Sequence, residues 1–116
     1  MFLSCANLTI VPQDLLPATT LDTYCYAQMF MGCTKLIAAP DLPAPTLLQD
    51  CYWGMFDHCT SLTSINVNFT NWGKEGDYTY DWVEEVAPTG IFTKPTALST
   101  VISNHYIPSG WTIVNK

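Results

Sequence analysis

The phrase MF-x-x-C-x-x-L occurs three times, at Met1–Leu8, Met29–Leu36 and Met55–Leu62. A second phrase, LPA-x-T-L-x-x-x-CY, occurs twice, at Leu16–Tyr26 and Leu42–Tyr52. The methionines that open the first phrase stand 28 and then 26 residues apart. The two-residue difference lies in the stretch Pro12–Pro17, which answers to Pro40–Pro43 one repeat later. A chain that repeats itself in register at this period cannot bury the apolar face of one unit alone. It stacks its units so that each covers the next, which is the plan of a solenoid.

The repeat predicts its own elements. Leu8–Val11 (LTIV) and Leu36–Ala39 are short and apolar, as strands are, and Pro12 and Pro40 end them because proline cannot donate to a ladder. Loops follow over Gln13–Pro17 and Asp41–Pro45. Thr19 or Thr20, and then Thr46, are placed to cap a helix. Leu21, Cys25, Tyr26, Met29 and Phe30 fall at i, i+4, i+5, i+8 and i+9, which is one stripe of an α-helix, and Leu47, Cys51, Tyr52, Met55 and Phe56 repeat it. Gly32 is suited to end the first helix. Leu62, Ile65 and Val67 mark a third, longer strand close to the L-x-x-L-x-L pattern of leucine-rich repeats. The expected fold is therefore α/β: a short leucine-rich-repeat solenoid over residues 1–67. It would hold about two strand–loop–helix repeats of 26–28 residues, with parallel strands stacked and helices as the opposite wall. Met1 and Phe2 enter inside a repeat, so further repeats or a partner chain are expected at that edge.

After Val67 the phrases stop. Asn68–Gly76 is rich in turn formers, Tyr80–Val86 reads as a short helix, and Ile91–Thr93 and Trp111–Val114 are strand-like. We read 68–116 as a non-repeat capping segment within one compact domain.

Composition excludes several functions. Of the 116 residues 48% are hydrophobic and 12% charged, enough apolar surface to bury a core. Net charge is −6, with four lysines and no arginine, which is unsuited to nucleic acid or to an anionic membrane surface. No run of about 18 apolar residues spans a bilayer, and MFLSCANLT has neither the basic nor the apolar region of a signal peptide. The five cysteines (Cys5, Cys25, Cys33, Cys51 and Cys59) all sit at repeat-equivalent places. Such places suit buried free thiols; disulfides Cys25–Cys33 or Cys51–Cys59 are the alternative. No C-x-x-C spacing supports zinc, and Asp77 with Asp81 does not match a calcium loop.

The motifs MF-x-G-C-T-x-L, APDLPA-x-T-L and CY-x-x-MF, with the ending GIFTKPTAL…IPSGWTIVNK, resemble the BspA-type leucine-rich repeat surface proteins of Bacteroidetes and related gut bacteria. The resemblance covers most of the chain. It implies an extracellular or cell-surface protein, often called an adhesin, that recognises a protein or carbohydrate; similar repeats are also carried by phages of these bacteria, which makes a virion component the alternative. It implies no catalytic residues and no cofactor.

The candidate ligand-binding residues are aromatic. Trp53 follows Tyr52 and lies roughly opposite Cys51 on the expected helix, so it should face outward. Trp72, Tyr78 and Tyr80, with Trp82, form an aromatic group in a stretch that also carries Asp77, Asp81, Glu84 and Glu85, a combination that can grip a sugar or plug the end of the stack. The strand face, with Thr9, Ile37, Thr63, Ser64 and Asn66, is a shallow third candidate. Catalysis has little to build on. Glu84 and Glu85 are adjacent and would diverge by about 100° on a helix, His58–Cys59 replaces Gly32–Cys33 of the repeat, and no hydrolase, zinc-protease or phosphate-loop motif is present.

Overall fold

Strand-forming residues return at the spacing of the repeat, and the chain uses them to build one parallel sheet. The computed structural model describes residues 4–73 and 77–116, so the start of the first repeat phrase and the end of the Asn68–Gly76 turn lie outside the described residues. Three strands, β1 (Ser64–Asn66), β2 (Ile91–Lys94) and β3 (Thr112–Asn115), pair in the order β1–β2–β3. Ser64 lies opposite Ile91, and Ile91 opposite Thr112, all in parallel. The sheet reaches back through single pairings: Ala38 bridges Ser64, and Leu42 bridges Val67. One pass earlier, the Ile37 N–H donates to Thr9 O and the Asp41 N–H to Gln13 O. The expected strands at Leu8–Val11 and Leu36–Ala39 are thus reduced to isolated pairings, whereas those near 62–67, 91–93 and 111–114 form. β2 and β3 both lie within 68–116 and extend the sheet that β1 begins.

The opposite wall differs from the expectation. Among the described residues helix is confined to one 3-10 turn at Asp77–Thr79. The segments expected as helices at 21–30, 47–56 and 80–86 hold instead runs of consecutive turns, over 23–32, 49–58 and 80–85. Along the first run Cys25, Ala27, Met29, Met31 and Cys33 donate their N–H groups three residues back, to Asp22, Tyr24, Tyr26, Gln28 and Phe30. The alternate residues donate across the stack instead: Tyr26, Gln28, Phe30 and Gly32 reach the carbonyls of Cys51, Trp53, Met55 and Asp57. The next pass repeats this, with Tyr52, Gly54, Phe56 and His58 donating to Tyr78, Tyr80, Trp82 and Glu84. Every backbone donor from Cys25 to Cys33 is used, alternately within its own turn and on the neighbouring pass.

Such a ladder needs a left-handed residue once per turn. Tyr24, Gln28 and Gly32 have φ of 57°, 56° and 76°, and Asp50, Gly54 and His58 have 52°, 59° and 62°. Asp81 and Glu85 continue the rows at 51° and 60°. Side chains then alternate two inward and two outward. Cys51, Tyr52, Met55, Phe56 and Cys59 are buried, while Trp53, Asp57 and His58 reach the surface.

The core lies between the two walls. Like rings stack in register, Tyr26 on Tyr52 at 6.1 Å and Phe30 on Phe56 at 5.8 Å, both nearly parallel. Each such pair adds roughly 0.5–1.5 kcal/mol beyond the area it buries. Trp82, fully buried, closes both rows against Tyr52 and Phe56. Three indoles tie the last passes together: Trp82 Nε1 donates to Tyr106 O at 2.7 Å, Trp72 Nε1 to Ser99 O at 2.9 Å and Trp111 Nε1 to Ala87 O at 2.8 Å. The radius of gyration, 12.5 Å, is that of a compact domain of this length.

Candidate functional site

The four aromatic candidates do not form one site. Trp72 is buried, its ring meeting Phe69 at 5.2 Å and Tyr106 at 5.1 Å. Tyr78 is half-buried against the core, and its ring lies so close to Gly73 that no Cβ would fit there. These two residues stabilise the stack rather than forming an exposed gripping surface. The physical reason is that their pass needs large rings to fill the width that Tyr26–Tyr52 and Phe30–Phe56 fill earlier.

Trp53 and Tyr80 behave otherwise. The Gln28 N–H donates to Trp53 O and the Gly54 N–H donates to Tyr80 O, so the two aromatics hold the same place on successive passes. Both point away from the core: Trp53 is half-buried and Tyr80 is 44% exposed. The Tyr80 ring stacks on His105 at 4.5 Å and 19°, which carries the row onto a further pass. His105 is held by its own bonds. Its Nδ1 accepts from the Asp81 N–H at 3.0 Å, and its carbonyl accepts from the Thr79 hydroxyl. The outward row is therefore Ala27, Trp53, Tyr80 and His105 on a wall fixed by the hydrogen-bond ladder.

Carboxylates border this row. Asp50 precedes Trp53 and takes a hydrogen bond from the Tyr24 hydroxyl, whose titration is thereby raised. On the other side stand Asp81, Asp57 and Glu84, with Asp57 Oδ1 2.6 Å from His58 Nδ1. The charge of Asp81, with smaller contributions from Asp57 and Glu85, pushes the Glu84 carboxyl above its usual range.

A second surface runs along the corner where the turns begin. Three clefts of about 360, 260 and 430 Å³ follow one another across the passes. Thr19 and Thr20 line the first, Pro45 and Thr46 join it to the second, and Thr70 and Asn71 join that to the third. The threonines expected to cap helices line this groove. The strand face presents Thr9, Ile37, Thr63 and Ser64 to solvent, while Asn66 is occupied with Asp41 and Lys116.

The His58–Cys59 pair is not assembled for nucleophilic chemistry. His58 is outside, whereas Cys59 is fully buried and its Sγ donates to Phe30 O at 3.0 Å. Burial pushes that thiol up to about 12 and the Cys51 thiol to about 11. The five cysteines form no disulfide with one another; Cys33, Cys51 and Cys59 are buried and Cys5 and Cys25 half-buried. Among the described residues no helix is long and apolar enough to cross a membrane, and no three His, Cys, Asp or Glu side chains converge on a metal position.

Sequence reasoning missed His105 and Tyr106. They lie in Lys94–Tyr106, which has no periodicity to place them; the only signal was a histidine next to an aromatic. No family model matches the chain, and neither a curated protein nor a solved structure matches it.

Proposed function

We propose that this chain is a short solenoid of the BspA-type leucine-rich-repeat kind, and that it is a non-enzymatic recognition module for a protein or glycan at a bacterial surface. The repeated phrases, the parallel pairing at the repeat spacing and the stacked core rings support the solenoid reading. Its second wall is built of turns where helices were expected.

The observation that carries the recognition reading is the outward row of Trp53, Tyr80 and His105. Large rings left partly in water on a hydrogen-bonded wall lose little further freedom on binding, and exposed aromatics are the common anchors of interfaces. The test is a panel of glycans and bacterial or host surface proteins, probed with the wild type and with Trp53→Ala. The expected result is at least tenfold weaker binding of whichever ligand is found, at an unchanged unfolding midpoint. Equal affinity of the two proteins would remove the aromatic row from the site.

A further inference from the structure

We propose that the outward face of the turn wall, centred on Trp53 and Tyr80, docks an extended protein segment rich in arginine or lysine. This rests on the recognition reading and names the class of partner that the same row takes.

The row offers ring faces, and a ring face attracts a cation within about 6 Å of its centre. Planar guanidinium groups also stack on such faces as the Tyr80 ring stacks on His105. The borders of the row are acidic on both sides, with Asp50 before Trp53 and Asp81, Asp57 and Glu84 after it. Among the described residues, Lys94 is buried with its Nζ on Leu98 O and Lys116 binds Asn66 on the strand side, so neither reaches these carboxylates; Asp57 and Asp81 stand beside the imidazoles of His58 and His105, at 2.6 and 3.3 Å. The charge of Asp81, and to a lesser extent of Asp57 and Glu85, raises the titration of Glu84, a repulsion that His58 partly offsets. A cationic segment relieves that repulsion on binding, whereas a neutral sugar gains from the rings alone. Charge complementarity thus selects a basic peptide over a glycan, with the net charge of −6 favouring encounter.

The experiment uses the full chain with fluorescein-labelled octa-arginine and octa-lysine, and maltoheptaose as the neutral sugar probe. Octa-arginine should bind most tightly, octa-lysine more weakly, and maltoheptaose not at all. Tyr80→Ala should weaken octa-arginine by roughly three- to thirtyfold, the range of a partly desolvated cation–ring contact, and Tyr80→Phe should bind like the wild type. The double variant Asp81→Asn/Glu84→Gln should weaken binding and flatten its salt dependence, whereas Asp14→Asn/Asp22→Asn, with the same change of net charge, should not. Equal loss in the two double variants, or no loss in Tyr80→Ala, would reduce the effect to bulk charge and overturn the proposal. Absence of octa-arginine binding would overturn it too. Maltoheptaose binding that Trp53→Ala abolishes, without peptide binding, would leave the recognition reading standing and remove the basic partner.

Discussion

The two walls of this protein solve one problem with different backbones. On the strand wall, β1, β2 and β3 pair as extended chains, and alternate residues point in and out: Ile65 and Phe92 are buried, Ser64 and Ile91 exposed. On the turn wall, the N–H groups that cross to the next pass are also every second one, but the chain between them is folded into turns. The turn wall therefore packs more residues into each pass and presents them in pairs. Paired outward positions are what place Asp81 beside Tyr80, while the next outward turn carries Asp57 and then Glu84 on successive passes. The strand wall, with its single alternation, offers mostly threonine, serine and isolated isoleucines.

The largest effect should come from breaking the junction of the two walls. Trp82 is fully buried between Tyr52 and Phe56, and its indole N–H holds Tyr106 O. Trp82→Ala should cost about 3–5 kcal/mol, the usual range for deleting a buried aromatic, read as a lower denaturant midpoint. Because Trp53 is on the same wall but outside the core, Trp53→Ala should leave that midpoint nearly unchanged.

The inward positions of the turn wall carry thiols where the strand wall carries aliphatic side chains, so alkali should weaken the turn wall selectively. The Cys51 and Cys59 thiols titrate at about 11 and about 12 in the folded chain because they are buried. In the unfolded chain they ionise near ~8.5. Above that pH the unfolded state loses protons that the folded state keeps, so stability falls as pH rises. Each thiol lowers it by about 1.4 kcal/mol per pH unit until its folded titration is reached. Unfolding free energies should stay level from neutrality to about pH 8 and decline along this slope from about pH 9 to 10, and thiol reagents should modify Cys51 and Cys59 only after unfolding.

A smaller effect separates the turn wall from a helix by its sign. Gly54 has φ of 59°, and a Cβ there would meet Met31 Cε at 3.0 Å. Gly54→Ala should therefore destabilise by about 1–2 kcal/mol, from a left-handed alanine with little room. In a helix interior the same change stabilises by about 1 kcal/mol. Thermal unfolding of the two proteins side by side gives the sign.

The sequence announced a strand near 62–67, strand-like stretches at 91–93 and 111–114, and the inward identity of Cys51, Tyr52, Met55 and Phe56; that the last two stretches pair in parallel with the first, as one sheet, was not read from it. It did not announce the backbone of the turn wall, for a physical reason. Apolar residues at i, i+4, i+5, i+8 and i+9 fit a 3.6-residue helix over two turns, but they fit a four-residue turn better, because the pairs recur without drift. The discriminating residues were Gln28, Gly32, Asp50, Gly54 and His58, spaced by four within their segments. Glycine, asparagine, aspartate and histidine tolerate the left-handed region best, and three of those types occur at these five places. For the site, Trp53 was legible as an outward residue on either backbone. The split of Trp72 and Tyr78 from Tyr80 was not, because it depends on which positions of the 68–86 stretch align with the earlier passes. That stretch shares no phrase with them.

The most direct test of the turn wall is the unfolding free energy of Gln28→Gly. Gln28 is half-buried and uncharged, with φ of 56° in the middle of the first run of turns. Glycine occupies that region without steric cost, so the change should leave stability unaltered or raise it by up to about 1 kcal/mol. A loss of about 1 kcal/mol, the cost of glycine within a helix, would contradict the ladder of turns on which the aromatic row is displayed.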